Sequence, residues 1–335
     1  MNRVAIVVLN WNGITDTLKC LASLQHQSHN NFTIVVIDNG STDDSCKLLG
    51  EYQSKHSNVE IVYNPKNFGF AGGSNTGIEW ALNNDCDYVA LFNNDAIADK
   101  DWLDNLVKTA SVDDSIGIVT GLLLDASGEY IDSTGEQYST WGLPFPRNRG
   151  DKRIKAPKSQ LVFGASGGAS LYRIQMLREI GLFDEDFFAY YEDTDLSFRA
   201  QLTGWKVAYA ADAVAYHNHG QTSKKLPGFT VYQTFKNLPL LFIKNVPFGL
   251  LFSIGIRFYF AYILMFFNAI AKGNGKPTIK GAWMGFILGF KALGERRNIQ
   301  KNRQVTTKYI NGILWSDLPT NQTGIRKLRK FFTSK

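Results

Sequence analysis

The chain has 335 residues, of which 44% are hydrophobic and 20% are charged, so it can bury a full globular core and carry an appended segment. Its three cysteines have no paired spacing, which argues against a disulfide framework or a zinc site and is typical of a reducing compartment. Lysine and arginine outnumber acidic residues after residue 218, which favours binding of this part of the chain to an anionic partner such as lipid headgroups. No zinc-ligand spacing, RNA-binding signature or basic heptad helix supports a nucleic-acid partner.

Short β-branched runs alternate with helical patterns in the first half of the chain. We predict strands over Val4–Leu9, Thr33–Ile37, Val59–Tyr63 and Tyr88–Phe92. We predict helices over Thr15–Gln25, Ser45–Lys55 and Ser74–Leu82. This alternation predicts an α/β fold with βαβ units and a mainly parallel sheet. The N-terminal apolar run has six residues and no small-residue cleavage site, so it is predicted to be a buried strand, and the catalytic part is predicted to be cytoplasmic.

Polar residues follow three of the predicted strands. They are Asn10–Trp11–Asn12, Asp38–Asn39–Gly40 and Asn93–Asn94–Asp95. One such tip is an ordinary turn or helix cap. Three tips at the carboxyl edge of one parallel sheet predict a ligand cleft, because ligands bind there near the switch in strand order.

A glycine-rich stretch, "NPKNFGFAGGSNTGIEWAL" (Asn64–Leu82), opens into a predicted helix. Backbone N–H groups at a helix N-terminus suit a phosphate. The stretch is neither a Walker loop nor a dinucleotide fingerprint, so alone it is a weak signal.

The middle of the chain combines a turn-rich region with an acidic cluster. We expect residues 125–160 to be a mobile insertion that covers a substrate, and "LVFGASGGASLYR" to be one strand followed by a helix near Arg173. In "YYEDTDLSFRAQLTGW", Glu192, Asp193 and Asp195 lie within four positions, ahead of an apolar run. Such a cluster caps a helix or serves a cation or an acid–base task, and the residues alone leave both interpretations open.

The tail contains the most apolar segment, Phe248–Ile270. It exceeds the roughly 20 residues that a spanning helix needs, but a central Arg257 costs about 2.5 kcal/mol or more in a bilayer, and Gly249 and Gly255 disfavour a helix. Flanking lysines and a second apolar stretch, Gly281–Leu293, favour one or two helices lying in the membrane interface. A single span and a plain core helix are the alternatives.

Four separated pieces occur in a specific order. They are "VVLNWNG", "VVIDNGSTDDS", "LFNNDA" and "YYEDTDLSFRAQLTGW" with its following "HNHG". The ordered set, from about Val4 to Thr222, resembles the inverting nucleotide-sugar glycosyltransferases of family 2, which have the GT-A fold. "NFGFAGGSNTGI" with "EDTDLSFR" is most similar to the rhamnosyltransferase-type enzymes of bacterial surface polysaccharide assembly.

The resemblance implies a divalent metal, Mg²⁺ or Mn²⁺, beside the diphosphate of the donor. Asp95 is its implied ligand, from the family's Asp-x-Asp motif. Asn93 stands where that motif has its first Asp, which leaves one charge fewer on the metal. His217 follows the acidic motif as the family's metal-ligating His does, and His219 is a less favoured substitute.

The donor nucleotide is expected at the strand tips and the glycine-rich stretch. Asp38 resembles the family's nucleobase-binding Asp, which accepts a hydrogen bond from N3–H of a thymine or uracil. The other predicted donor contacts are Asn10, Asn67, Gly73, Asn93 and Asn94.

The resemblance divides the acidic cluster into three roles. Asp193 matches the family's catalytic base. Glu192 is expected to orient the acceptor or to raise the pKa of its neighbour by like-charge repulsion. Asp195 is expected to cap the helix. Gly204 in "QLTGW" stands where processive synthases have Arg, which favours addition of a single sugar.

The sequence therefore predicts a GT-A catalytic domain over residues 1–225 and a membrane-associating helical region with a basic tail over residues 226–335. The expected reaction transfers one sugar, with rhamnose as the candidate, from a dTDP- or UDP-sugar to a lipid-linked saccharide acceptor. The enzyme is expected at the cytoplasmic face of the inner membrane, peripheral or monotopic. The alternatives are a nucleotidyltransferase, whose basic Gly-rich signature is missing from "LNWNGITD", and an inactive nucleotide-sugar-binding module.

Overall fold

The computed structural model describes residues 2–218 and 226–319. Its strands are β1 (Val4–Asn10), β2 (Phe32–Asp38), β3 (Val59–Tyr63), β4 (Tyr88–Asn93), β5 (Ala96–Ala98), β6 (Ile116–Asp125), β7 (Ile131–Ser133), β8 (Glu136–Tyr138), β9 (Pro144–Pro146), β10 (Gln160–Val162), β11 (Ala169–Arg173) and β12 (Lys206–His217). Its α-helices are α1 (Ile14–Leu24), α2 (Ser45–Gln53), α3 (Gly69–Asn83), α4 (Trp102–Ala110), α5 (Ile174–Ile180), α6 (Glu192–Leu202), α7 (Phe229–Asn245), α8 (Phe248–Ala271), α9 (Gly275–Lys301) and α10 (Thr307–Ile313). The alternation predicted for the first four strands is confirmed.

The central sheet is mixed, and its strand order reverses at β1. β1 pairs in parallel with β2 on one side and with β4 on the other, and β3 extends the sheet beyond β2. β11 runs antiparallel between β4 and β6, and β12 lies parallel to β6. The carboxyl ends of β1, β2 and β4 therefore meet at one edge beside the reversal, where ligands bind in open α/β sheets.

Helices cover both faces of the sheet, which explains why its central strands are apolar without alternation. Val4, Ile6 and Val8 of β1 pack against α1, α2 and α4, whereas Ala5 and Val7 pack against α3, α5 and α6. All five side chains are almost completely buried. Because full burial of a Val or Ile side chain contributes about 1.5–3 kcal/mol, the two layers together fix the register of β1.

The glycine-rich stretch becomes helical earlier than predicted. α3 begins at Gly69 instead of Ser74. Gly69 has a φ of +75°, and a Cβ there would lie 2.3 Å from the carbonyl oxygen of Phe188, so only glycine fits. The side-chain oxygen of Asn67 accepts a hydrogen bond from the Gly69 N–H, 2.7 Å. The early start follows from this local turn, which the helical periodicity did not reveal.

Two expectations for the middle of the chain were wrong. Residues 125–160, expected to be a mobile insertion, contain β7, β8 and β9, and Ile131 and Tyr138 are buried there. The segment expected to be one strand forms two, β10 and β11, which lie at different positions in the sheet. The loop 163–168 between them crosses the carboxyl edge of the sheet and bonds to β4 through Asn93 N–H and Gly168 O, 2.8 Å.

The C-terminal helices share a hydrophobic core with the sheet domain. Phe187 and Phe198 pack in one buried cluster with Leu241 of α7 and Ile254 of α8. α9 crosses α7 at close range because of Gly281, where a Cβ would lie 2.4 Å from the Tyr232 carbonyl oxygen. Residues on both sides of the predicted boundary near 225 therefore belong to one core.

α8 covers the predicted apolar segment and has two unlike faces. Leu250, Ile254 and Phe258 are buried on one face, and Phe258 packs directly over Gly142 of the β8–β9 connection. Phe252 and Tyr259 on the other face are 81% and 63% exposed. Within the described residues, α8 is the helix whose length and composition suffice to cross a membrane.

Candidate active site

A hydrogen-bonded network joins the carboxyl ends of β1, β2 and β4. Asn10 Nδ2 donates to Asp38 Oδ1, 2.8 Å, and to Ser41 Oγ, 3.2 Å. The backbone N–H of Ser41 donates to the other Asp38 oxygen, 3.1 Å. The Thr17 hydroxyl donates to Asn10 Oδ1, 2.7 Å, and accepts from Asn94 Nδ2, 2.9 Å. The structure thus brings together three residues predicted from the strand tips: Asn10, Asp38 and Asn94.

Asp38 is held firmly by its neighbours. It is 1% exposed, and the Cys46 thiol approaches its Oδ2 at 3.5 Å, in addition to the donors Asn10 and Ser41. A carboxylate has about four acceptor positions, so one further donor can be accommodated. The contact with a nucleobase N3–H stays a prediction, and it requires a base to reach this buried group.

Asn39 organises the start of α3. Its Nδ2 donates to Asn67 Oδ1 and to the Gly69 carbonyl, both 3.0 Å, and its Oδ1 accepts from the Phe68 N–H, 3.2 Å. Asn67 therefore lies beside the strand tips, and its contact with the donor stays a prediction. Gly73 is instead buried inside α3, and a Cβ there would meet Leu9 at 2.4 Å and Asn39 at 2.9 Å. Its prediction as a donor contact is corrected to a packing role, because Gly73 lets α3 approach β1.

Asp95 and His217 lie side by side because β5 pairs with the end of β12. His217 Nε2 is 3.0 Å from Asp95 Oδ1, and its Nδ1 is 2.8 Å from Asp132 Oδ2. Arg149 Nη2 in turn pairs with Asp132 Oδ1, 3.0 Å. Burial lowers the pKa of His217, but the hydrogen bonds to Asp132 and Asp95 outweigh it and raise this pKa to about 9. The alternative ligand His219 lies outside the described residues.

These residues fit a divalent cation. A carboxylate on the second ring nitrogen, here Asp132, is the usual device that orients a metal-ligating histidine. Asp95 and His217 would supply one oxygen and one nitrogen, and Mg²⁺ or Mn²⁺ takes its remaining ligands from substrate phosphates and water. Asn93 Nδ2 lies 3.4 Å from His217 Nε2, so Asn93 stands beside this pair without adding a charge. The assignment of Asp95 and His217 as ligands stays a prediction.

A second acidic group lies away from the strand tips. Asp184, Asp186 and Glu295 bring their carboxylate oxygens close enough together to hold a metal ion. Lysines already neutralise this group, because Lys244 binds Asp184 and Glu295 while Lys291 binds Asp186 at 2.7 Å. We therefore interpret this group as an ion-pair network that joins α7 and α9 to the sheet domain.

Asp193 lies in the first turn of α6, and its carboxylate is oriented by backbone groups. Its Oδ2 accepts from the Gly167 N–H, 2.9 Å, and its Oδ1 from the Thr194 N–H, 2.7 Å. Gly167 belongs to the loop 163–168, which also bonds to β4 through the Gly168 carbonyl oxygen and the Asn93 N–H, 2.8 Å. This loop therefore connects the predicted base to the predicted metal site. Burial raises the pKa of Asp193 above its ordinary value, although these hydrogen bonds oppose the shift. A raised pKa suits a general base.

Glu192 differs from its neighbour in having few partners. It is buried, and its Oε2 has no hydrogen-bond partner among the described residues. Burial and the nearby charge of Asp193 raise its pKa well above the ordinary value. Like-charge repulsion therefore acts on Glu192 itself, and burial is the main cause of the shift at Asp193.

The segment that leads into α6 has an unusual backbone. Phe188, Tyr190 and Tyr191 have φ values of +61°, +70° and +74°. Left-handed conformations of non-glycine residues are costly and concentrate at functional sites. Asn237 of α7 holds this segment in place, since its Nδ2 lies within 2.9 Å of the carbonyl oxygens of Phe187, Ala189 and Tyr190.

The predicted capping role of Asp195 is wrong. Its side chain is completely buried and accepts from Arg199 Nε, 2.8 Å, and from Asn245 Nδ2, 2.7 Å. Lys244 Nζ lies 3.4 Å from its Oδ1. Asp195 therefore ties α6 to α7. The tertiary contact prevails because a carboxylate inside the core needs paired charges more than a helix end needs a cap.

Asp132 and Glu136 are not among the site residues predicted from the sequence. Both lie in the region expected to be a loop, on β7 and β8. Glu136 is half-buried, and the described residues give its carboxylate no hydrogen bond or ion pair. Three-residue strands are too short for alternation to be recognised, so the acidic residue types in "YIDSTGEQY" were the available signal.

The model of the protein family described as "Glycosyl transferase family 2" matches residues 5–181, which are more than half of the chain. The protein thus belongs to glycosyl transferase family 2, and it is a glycosyltransferase. This finding overturns the nucleotidyltransferase alternative.

Several of its curated relatives are named rhamnosyltransferases. An N-acetylglucosaminyl-diphospho-decaprenol L-rhamnosyltransferase of Mycobacterium tuberculosis is 26% identical over 231 residues, which are 62% of this chain and 73% of the relative. The O-antigen chain rhamnosyltransferase WbaN of Salmonella anatum is 28% identical over 207 residues, 61% of this chain and 62% of the relative.

Solved structures establish the GT-A fold. GalNAc-T7 with UDP, GalNAc and Mn²⁺ has a TM-score of 0.59 and 17% identity, covering 72% of this chain and 47% of that one. The mannosyltransferase PcManGT from Pyrobaculum calidifontis with GDP-Man and Mn²⁺ has a TM-score of 0.55 and 14% identity, covering 90% and 87%. The predicted fold class is confirmed.

Proposed function

We propose that the protein transfers a single sugar, with rhamnose as the first candidate, from a dTDP- or UDP-sugar to a lipid-linked glycan, with inversion at the anomeric carbon. The names of the relatives support rhamnose and a lipid-linked acceptor in polysaccharide synthesis. The observation that carries the proposal is the loop 163–168, which bonds to Asp193 on one side and to Asn93 of β4 on the other.

In the proposed reaction, a hydroxyl of the acceptor attacks the anomeric carbon while the bond from that carbon to the diphosphate breaks. Asp193 accepts the hydroxyl proton. Its Oδ1 accepts from both the N–H and the hydroxyl of Thr194, whereas its Oδ2 accepts from the Gly167 N–H alone and keeps a lone pair for the acceptor. Because the base and the leaving diphosphate act on opposite faces of the sugar, the anomeric configuration inverts.

Asp95 and His217 are the residues that would hold the metal, with Asp132 orienting the histidine. A bound Mg²⁺ or Mn²⁺ supplies charge neutralisation of the leaving diphosphate. We assign Asp38 to the pyrimidine base, and Asn10 and Asn94 to the support of that site through Thr17. Asn67 lies at the N-terminus of α3, where backbone N–H groups favour an anion.

We also propose that the enzyme is peripheral or monotopic, with the outer faces of α8 and α9 in the cytoplasmic membrane interface. Phe252 of α8 and Trp283 of α9 are 81% and 63% exposed. A helix that spans a membrane is surrounded by lipid hydrocarbon wherever no other helix covers it. One face of α8, from Leu250 to Ala261, instead packs on the sheet domain. An interfacial position leaves this packing intact and covers the exposed aromatic face with lipid.

Hydrolysis of a panel of nucleotide sugars, with Mn²⁺ and without acceptor, tests the proposal; the product measured is the nucleoside diphosphate or, for CMP-sugars, CMP. We expect a dTDP- or UDP-sugar to be consumed faster than GDP- or CMP-sugars, because thymine and uracil offer N3–H to Asp38. Asp193→Asn is the control for catalysis through this site. Binding of nucleotide sugar without any turnover would favour the inactive binding module, for which Asn93 in place of Asp is the supporting observation.

A further inference from the structure

The β8–β9 hairpin runs from α8 to the neighbourhood of Asp193. At its tip, Gly142 has a φ of +70°, and a Cβ there would lie within 3.0 Å of the Phe258 side chain. Phe258 belongs to α8, whose opposite face we assign to the membrane interface. At the other end, Glu136 exchanges two backbone hydrogen bonds with Gly164, 2.7 and 3.1 Å. The hairpin is therefore fixed at both ends.

Glu136 lies close to the base. A Cβ on Gly164 would be 3.4 Å from the Glu136 Cβ and 3.0 Å from the Ser197 Cβ. Ser197 follows Asp193 by one helical turn and therefore lies on the same face of α6. The loop that begins beside Glu136 at Gly164 also provides the Gly167 N–H to Asp193. Glu136 and Asp193 thus flank the same loop.

The Glu136 carboxylate is unpaired within the part of the chain that the structure describes. Among the described residues it has neither a hydrogen bond nor an ion pair, and it is half-buried. Burial and the charge of Asp193 raise its pKa well above the ordinary value. An unpaired acceptor in this environment is costly unless a ligand supplies donors, and hydroxyl groups of a sugar are such donors.

We infer that Glu136 binds hydroxyl groups of the acceptor sugar next to Asp193. The inference rests on the proposed function, since it presumes that the acceptor is a lipid-linked glycan. Its lipid would enter at the α8 end of the hairpin, and its terminal sugar would lie at the Glu136 end, beside the base. The donor is assigned to the strand tips at Asp38 and Asp95, which belong to other elements.

The test compares Glu136→Gln and Glu136→Ala with a control, Glu129→Gln. Glu129 lies in the same region, but its side chain is exposed, so the control removes an equal charge outside the cleft. The acceptor probe is N-acetylglucosaminyl diphosphate on a short isoprenoid, the chemistry that one relative's name prints. We expect Glu136→Ala to raise the KM for this probe about 10- to 100-fold, the usual effect of losing a hydrogen bond to a charged group.

Further readouts separate the possible outcomes. Donor KM, acceptor-independent donor hydrolysis and Tm should stay at wild-type values in Glu136→Gln, which preserves shape and therefore reports on folding. An unchanged KM for the acceptor probe would overturn the inference. A rise in donor KM instead would assign Glu136 to the donor sugar and also overturn it. A wild-type protein that consumes no nucleotide sugar would contradict the proposed function, and this result is distinct from a selective acceptor effect.

Discussion

Lys244 is a buried cation among three carboxylates, and we predict that Lys244→Met strongly destabilises the fold. Its Nζ lies 3.4 Å from Asp195 and 3.2 Å from Glu295, and it also binds Asp184. Burial lowers the pKa of Lys244, but the charges of Asp195 and Asp184 outweigh it and raise the pKa. The lysine is therefore charged, and methionine would leave its partners facing one another.

The magnitude follows from burial. Asp195 is 0% exposed, and removing one partner of a buried ion pair costs about 3–5 kcal/mol, because the remaining charge is uncompensated. Since whole domains are stable by about 5–15 kcal/mol, the variant should lose a large share of its free energy of unfolding. Burial raises the pKa of Asp195, but Lys244 and Arg199 outweigh it and lower the pKa. The contribution of this ion pair to the free energy of unfolding is thus complete above the ordinary carboxyl pKa of about 4, and it is lost as the pH falls below that value.

Urea denaturation measures the effect, and Lys291→Met is the matched control. Lys291 pairs with Asp186 in the same network, but its side chain is 59% exposed, so its loss should cost less than about 1 kcal/mol. In a double-mutant cycle, Asp195→Asn should recover part of the stability lost in Lys244→Met. Equal losses in Lys244→Met and Lys291→Met would refute the argument from burial.

Three further predictions concern the reaction and the membrane. Asp193→Asn should lower transfer about 10²–10⁴-fold and leave donor affinity nearly unchanged, and retention of a tenth of the wild-type rate would move the base elsewhere. Because His217 has a pKa of about 9 without metal, binding of Mn²⁺ must displace its proton. Calorimetry should therefore show that the affinity for Mn²⁺ rises about tenfold per pH unit from pH 7 towards 9. Asp95→Ala should weaken Mn²⁺ binding over this whole pH range. Phe252→Ser with Trp283→Ser should reduce cosedimentation with anionic vesicles, and high salt should release part of the wild-type protein, since charge attraction is screened within about 10 Å at 0.1 M salt. Unchanged cosedimentation of the double variant would contradict the interfacial assignment.

The sequence predicts those parts of the fold that depend on repeated local patterns. The first four strands are recognisable because both faces are covered, which makes each strand a continuous apolar run, as in Val4–Leu9. Their polar ends, including Asn10 and Asp38, identify the cleft because parallel strands place all carboxyl ends at one edge.

The remaining features depend on contacts between distant residues. Asp195 appears in a helix-start pattern, yet its partners Lys244 and Asn245 come about fifty residues later, so no local signal reveals the buried pair. Asp132 meets His217 through the pairing of β6 with β12 and β7, which joins segments far apart in the chain. Chain topology, rather than spacing, creates these contacts.

The left-handed residues before α6 also determine whether the sheet domain can be separated from the C-terminal helices. Glycine would adopt these conformations freely, whereas each larger residue costs about 1–2 kcal/mol. Phe188 and Tyr190 nevertheless place their rings 6.1 Å from that of Phe229, and the Tyr191 hydroxyl lies 3.5 Å from Thr234. All of these partners belong to α7. A chain cut before α7 would keep the cost and lose the compensating contacts, so the helical end cannot be exchanged between enzymes as a module without rebuilding the segment that leads into α6, the helix that carries the base.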